Sequence, residues 1–214
     1  MRYTVIDTGD SRSFPAGDPF LAQAAPDGEV AVLIGRGAGA ALPRAGRERR
    51  TAVLVELGTE CLGVHTGESR GGEGSNVLGF ARFRLGTAEP SRLVEVVRQP
   101  ATPPAALDAA RQVLEGAGLV VAVCNDFAGR IVDRLVRPYY NAALRRLDEG
   151  LATADDLDAT LRLGLGYPEG PIAILERTGL AEHFDVTRDL FEAYGEPAYA
   201  PARRARVASQ RRGS

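Results

Sequence analysis

The chain contains no lysine: all 26 of its basic residues are arginine, and 214 residues include no tryptophan and a single methionine. Each gap closes off a chemistry. Without a lysine amine there is no Schiff-base catalysis and no phosphate-binding loop of the Walker type. His65 and His183 are the only histidines and Cys61 and Cys124 the only cysteines, far apart in sequence. Two such pairs supply neither a disulfide framework nor the ligand spacing of a zinc site, so no metal is expected, and a reducing cytoplasm is the compartment that fits. No run approaches the roughly 18 uninterrupted apolar residues of a membrane span, and Arg2, Asp7, Asp10 and Arg12 break any signal-peptide pattern near the start. A net charge of -2 argues against non-specific nucleic-acid binding, which draws its affinity from many phosphate contacts. Arg203, Arg204, Arg206, Arg211 and Arg212 form one basic end, read as a solvated or frayed terminus.

What is present is an ordinary globular balance, 44% hydrophobic and 25% charged, enough for one large domain or two small ones. Up to about residue 125 the chain reads as short apolar runs rich in β-branched residues: Tyr3 to Asp7, Val30 to Ile34, Ala52 to Leu57, Leu78 to Leu85, Leu93 to Val97 and Leu119 to Val123. The unbroken runs AVLI and AVLVEL predict strands covered on both faces, as in a parallel sheet. Between the last two runs, Thr102 and Pro103 open a helix that Gly116 or Gly118 closes. Residues 66–76 are a glycine-rich connector, expected to be mobile.

After Asp126 the pattern turns helical. Apolar residues from Ile131 to Leu147 recur at three and four along one long helix, 129–150, with Pro138 predicted to kink it or mark a boundary. Thr153 and Asp156 form a capping box for a helix that ends at Gly164 or Gly166. Two more helices follow, Ile172 to Glu176 and about Ala181 to Tyr194. Asp155, Asp156 and Asp158 read as cap and dipole partners, and Tyr139 and Tyr140 as packing residues. The predicted organisation is an α/β domain over 1–125 and an all-α domain over 126–214.

The segment GRIVDRLVRPYYNAALRRLDEGLATADDLDATLRLGLGYPEGPIAILERTGL, residues 129–180, resembles the C-terminal helical domain of the 3-hydroxyacyl-CoA dehydrogenase family, above all in D-L-D-A-T-L followed by L-G-L-G-Y-P-E-G-P. Residues 92–126 resemble the end of that family's nucleotide-binding domain. The resemblance implies a shortened Rossmann-like parallel-sheet domain followed by a helical domain that dimerises and helps to enclose an acyl-CoA. It also implies NAD-dependent oxidation of the acyl-CoA 3-hydroxyl, using a His base oriented by a Glu, with a Ser and an Asn on the substrate oxygen. Carried over, the Glu falls on Glu95, the Ser on Glu60, the Asn on Asp133 and the His on Ala81. The base is missing, and a positioned base is worth about 10²- to 10⁴-fold in rate.

For the cofactor, Gly35, Gly37 and Ala40 satisfy G-x-G-x-x-A after a strand, with Glu56 ending the next. Pro43 and Gly46 interrupt the helix that should follow. The resulting expectation is a family member of acyl-CoA oxidation without autonomous catalysis and with no cofactor of its own. It would be a degenerate second unit or C-terminal half that homodimerises and supports a catalytic dehydrogenase partner. The alternative is an active oxidoreductase binding NAD at Gly35, Gly37 and Ala40 and using Glu95, Asp133 or His65 in an altered mechanism. His65 otherwise reads as a solvent-facing imidazole.

Overall fold

A computed structural model describes residues 1–68 and 76–213; most of the predicted glycine-rich connector lies outside the described residues. Six strands, β1 (Tyr3–Asp7), β2 (Val30–Ile34), β3 (Ala52–Glu56), β4 (Val77–Arg82), β5 (Leu93–Arg98) and β6 (Val120–Asn125), form one sheet whose order in space is their order in sequence. Every neighbouring pair is parallel except β4–β5. Three single-turn helices, α1 (Pro19–Ala22), α2 (Ala38–Ala41) and α3 (Gly63–Thr66), and one longer helix, α4 (Pro104–Gly116), complete this first unit.

The two-faced apolar runs do what their period dictates. Along β2, Val30, Val32 and Ile34 join Phe14, Phe20, Ala106, Ala110 and Leu114 in one core, while Ala31 and Leu33 join Ala38, Ala41, Leu42 and Leu62 in another. Alternate residues thus feed opposite faces, and no residue of β2 or β3 reaches solvent. On the first face Phe14 stacks on Phe20 at 4.1 Å between ring centroids. By internal packing the chain forms two units: Met1–Arg84 with Pro90–Arg130, and Ile131–Ser214 with Leu85–Glu89.

The second unit holds α5 (Ile131–Asp148), α6 (Ala154–Leu165), α7 (Pro171–Thr178), α8 (Leu180–Tyr194) and α9 (Arg203–Arg212). Pro138 lies inside α5 without ending it. A proline there leaves the carbonyl four residues earlier without its N–H donor. That carbonyl belongs to Arg134, and the hydroxyl of buried Tyr199 donates to it at 3.2 Å. The helix therefore continues because a side chain from elsewhere replaces the lost donor.

The D-L-D and P-E-G-P motifs meet physically. Thr153 caps α6, accepting from Asp156 N at 3.2 Å, and Gly166 closes it at φ +71°. Asp158, one turn into α6, accepts from Ile172 N at 2.9 Å and Ala173 N at 2.8 Å, so it supplies the cap that α7 lacks locally. A Cβ on Gly170 would stand 2.1 Å from the Asp158 carboxyl carbon. Only glycine lets the two helices share this carboxylate. The arginine-rich end is α9 rather than a frayed tail: Ala205 is buried, Arg204 pairs with Asp148 at 2.6 Å, and Arg212 pairs with Asp185 at 2.6 Å and Glu182 at 3.1 Å. Among the described residues, no helix is long and apolar enough to cross a membrane.

Candidate functional site

Antiparallel pairing of β4 and β5 sets Ala81 directly opposite Glu95. Cross-strand partners hold their Cβ atoms about 4.5–5.5 Å apart, so a side chain at position 81 and the Glu95 carboxylate occupy neighbouring space on one face of the sheet. Glu95 is 1% exposed. An ionised carboxylate that far from water requires hydrogen bonds or a counter-charge. Arg130, 2% exposed, and the Glu95 charge both act on the Cys124 thiol of the neighbouring strand. Arg130 also donates to Phe127 O at 3.1 Å and to Glu60 O, and its Nε has no partner among the described residues. Arginine only donates.

Glu60 lies just past β3. Its Oε2 accepts from Gly58 N at 2.9 Å, and its Oε1 is 3.4 Å from His65 Nε2. A carboxylate here accepts hydrogen bonds, where a serine hydroxyl could also donate one. Next to it, Asp126 accepts from Leu62 N at 2.6 Å and from Gly63 N and Gln99 Nε2 at 2.8 and 3.2 Å, fastening the start of α3 to the end of β6. His65 is not the solvent-facing imidazole expected from its loop-like context: it sits on α3 with its ring against Gly39. Burial pushes both thiols up, Cys61 with the further help of Asp126, so neither is poised as a thiolate.

The glycine run has a different task from the one its spacing suggests. Gly35 N donates to Glu56 Oε2 at 2.6 Å, and Gly37 N to Thr8 Oγ1 at 3.0 Å. Glu56 also receives Ser11 Oγ at 2.8 Å and Ser13 N at 2.7 Å. A Cβ on Gly35, whose φ is +91°, would lie 2.1 Å from Gly9 O. The backbone after β1 thus fills the space beside Gly35, and the amides that would cradle a pyrophosphate are bonded within the chain. Ala40 lies in α2, a helix of only four residues. Open α/β sheets bind ligands where the strand order reverses, and this order never reverses. Gly35, Gly37 and Ala40 do not fit a dinucleotide.

In the second unit Asp133 stands in the first turn of α5, where its Oδ1 accepts from Arg137 Nε at 2.7 Å. Arg137 is buried and continues to His183 Nδ1 at 3.1 Å, while His183 Nε2 meets Asn141 Oδ1 at 3.0 Å. Since arginine can only donate, Nδ1 is the acceptor and the proton sits on Nε2. Burial and the Arg137 charge push His183 down to about 3, so it is neutral at physiological pH. Asp133 is therefore the outer end of a buried polar chain, a feature that sequence spacing gave no sign of. Tyr139, edge-on to Tyr167 at 5.9 Å, is pushed up to about 12 by burial, as befits a packing residue.

Comparison with known proteins converges on one family. Residues 129–213 match the model described as 3-hydroxyacyl-CoA dehydrogenase, C-terminal domain. A 3-hydroxybutyryl-CoA dehydrogenase of Bradyrhizobium diazoefficiens is 33% identical over 109 residues, 51% of this chain and 37% of that protein. The 3-hydroxyadipyl-CoA dehydrogenase of Escherichia coli is 36% identical over 103 residues, 48% of this chain and 22% of that protein. The matched stretch thus spans well under half of these relatives. Among solved structures, the 3-hydroxybutyryl-CoA dehydrogenase of Escherichia coli superposes with a TM-score of 0.70 at 25% identity, covering 84% of this chain and 39% of that one. FadB2 of Mycobacterium tuberculosis gives 0.69 at 23% identity, covering 86% and 66%; that likeness is of fold.

Proposed function

From the membership of this chain, through residues 129–213, in the 3-hydroxyacyl-CoA dehydrogenase family, we propose that it serves acyl-CoA oxidation as a supporting unit, without NAD-dependent turnover of its own. In this reading the helical unit pairs with a second copy or with a catalytic dehydrogenase and contributes to holding the acyl-CoA. The observation that carries it is the Ala81–Glu95 pair. The carboxylate to which the resemblance assigns the orienting role is present and buried, and its cross-strand neighbour is a methyl group. In this reading Glu60 carries a carboxylate where the resemblance puts a neutral hydroxyl, and a carboxylate repels a developing oxyanion rather than stabilising it.

The test is direct. The purified chain, given NADH and acetoacetyl-CoA, should show no loss of NADH absorbance, while acetoacetyl-CoA but not NADH should raise its melting temperature, because a ligand that binds only the native state must stabilise it. Turnover that disappears in Glu95→Gln would overturn the proposal. It would favour an active NAD-dependent oxidoreductase with an altered catalytic set, for which the 3.4 Å contact of His65 with Glu60 is the one supporting observation.

A further inference from the structure

Outside the Ala81–Glu95 group, the first unit holds a half-open cavity of about 380 Å³ lined by Gly39, Ala40, Leu42, Pro43, Arg47, Glu48 and His65. Of these residues only Ala40 and His65 were candidate site residues above, both in the alternative of an active oxidoreductase. The volume is at the small end of the roughly 300–1,000 Å³ of small-molecule sites. Its wall is specific in one respect. A Cβ on Gly39 would lie 2.1 Å from His65 Nδ1 and 2.2 Å from Cε1, so the imidazole occupies the space that any side chain at 39 would need. From its other edge the ring reaches Glu60 Oε1 at 3.4 Å. The imidazole is thus set between a carboxylate and a helix backbone rather than loose on the surface. Across the cavity Arg47 turns its Nε toward Glu48 at 3.6 Å, and both side chains are largely exposed, so that pair is weak. Leu42 and Pro43 give the remaining wall an apolar character.

We propose that this cavity binds a small organic oxyanion, a molecule with a phosphate or carboxylate on a short apolar body. Arg47 is its charged anchor, since a guanidinium offers paired donors to such groups. His65 is the second polar contact, and Leu42 and Pro43 meet the apolar body. Gly39 is what admits the imidazole to the wall.

With only two histidines, His65 and His183, in the chain, proton NMR of the ring Cε1–H reads the site cleanly, His183 serving as the internal reference in the other unit. Phenyl phosphate at millimolar concentration should shift the His65 signal saturably while His183 stays still; phenol should not. Arg47→Ala should weaken the phenyl phosphate effect about tenfold, the loss expected for one charged hydrogen bond. Gly39→Ala should abolish the His65 response with the His183 signal and far-UV circular dichroism unchanged. Absence of a saturable shift, equal binding of phenol, or full retention in Arg47→Ala would each overturn the proposal.

Discussion

Single residues decide most of what distinguishes this chain. Gly35 tests whether its glycines serve the fold. At φ +91° with Gly9 O in the way of any Cβ, Gly35→Ala should lower unfolding free energy by at least about 2 kcal/mol, combining left-handed strain with a backbone clash. Gly17 has φ +88° and nothing within 4 Å of its would-be Cβ, so Gly17→Ala should cost only about 1 kcal/mol, the strain alone. Urea titration of both variants separates the two contributions. Equal losses would mean that the contact with Gly9 relaxes freely. From sequence, Gly35, Gly37 and Ala40 fit a dinucleotide pattern, because spacing records where glycines are and not what fills the room they leave. That Ala81 stands where the resemblance puts a histidine is read from the sequence alone. Its pairing with Glu95 needed strand register.

Elements were legible in proportion to their periodicity. The six strands announce themselves as β-branched runs, and α4 to α8 as amphipathic stripes, α6 with a capping threonine as well. The helices α1, α2 and α3 are single turns, too short to show a repeat. In α9 one buried alanine is outnumbered by five arginines, so its ion pairs to Asp148, Glu182 and Asp185 from other helices were invisible. Pro138 misleads for a related reason, since the donor that rescues Arg134 O is Tyr199, 65 residues away. Tyr199→Phe should cost about 1–3 kcal/mol by orphaning that carbonyl, and much less in a Pro138→Ala background, where the backbone N–H returns. A double-mutant cycle by chemical denaturation measures the coupling. The buried chain through α5 and α8 predicts a pH effect. His183 is held to about 3 in the folded state, so between its ordinary value of 6.5 and that point the unfolded chain binds a proton that the folded one refuses. Stability from this group is complete above pH 6.5 and falls as pH drops, by about 1.4 kcal/mol per unit well below 6.5. Melting curves between pH 6.5 and 5, above most carboxylate titration, should show the slope, and His183→Gln should flatten it. An unchanged slope in that variant would assign the effect elsewhere.

At the scale of the whole molecule, the proposed association can be tested on the exposed leucines of the helical unit. Leu163 is 86% exposed, and Leu135, Leu151 and Leu165 are also well out in solvent on the helical unit. If these residues meet a second copy, one of the two pairings in the proposed function, sedimentation at micromolar concentration should give a dimer and Leu163→Glu together with Leu135→Glu a monomer. A wild-type monomer would remove self-association from the proposal. The division into an α/β part and a helical part was readable from the change of period after Asp126, whereas strand order was not, since periodicity says what pairs on a face and nothing of which neighbour it pairs with. That order has a consequence for how the chain is made. Because β1 to β6 lie side by side in the order of their sequence, each strand emerging from a ribosome finds its partner already synthesised, and no strand must wait for a later one to be inserted beside it. Such a sheet can be laid down strand by strand in the order of synthesis, each step closing one loop between neighbours, which limits the time that unpaired strands are exposed to other chains.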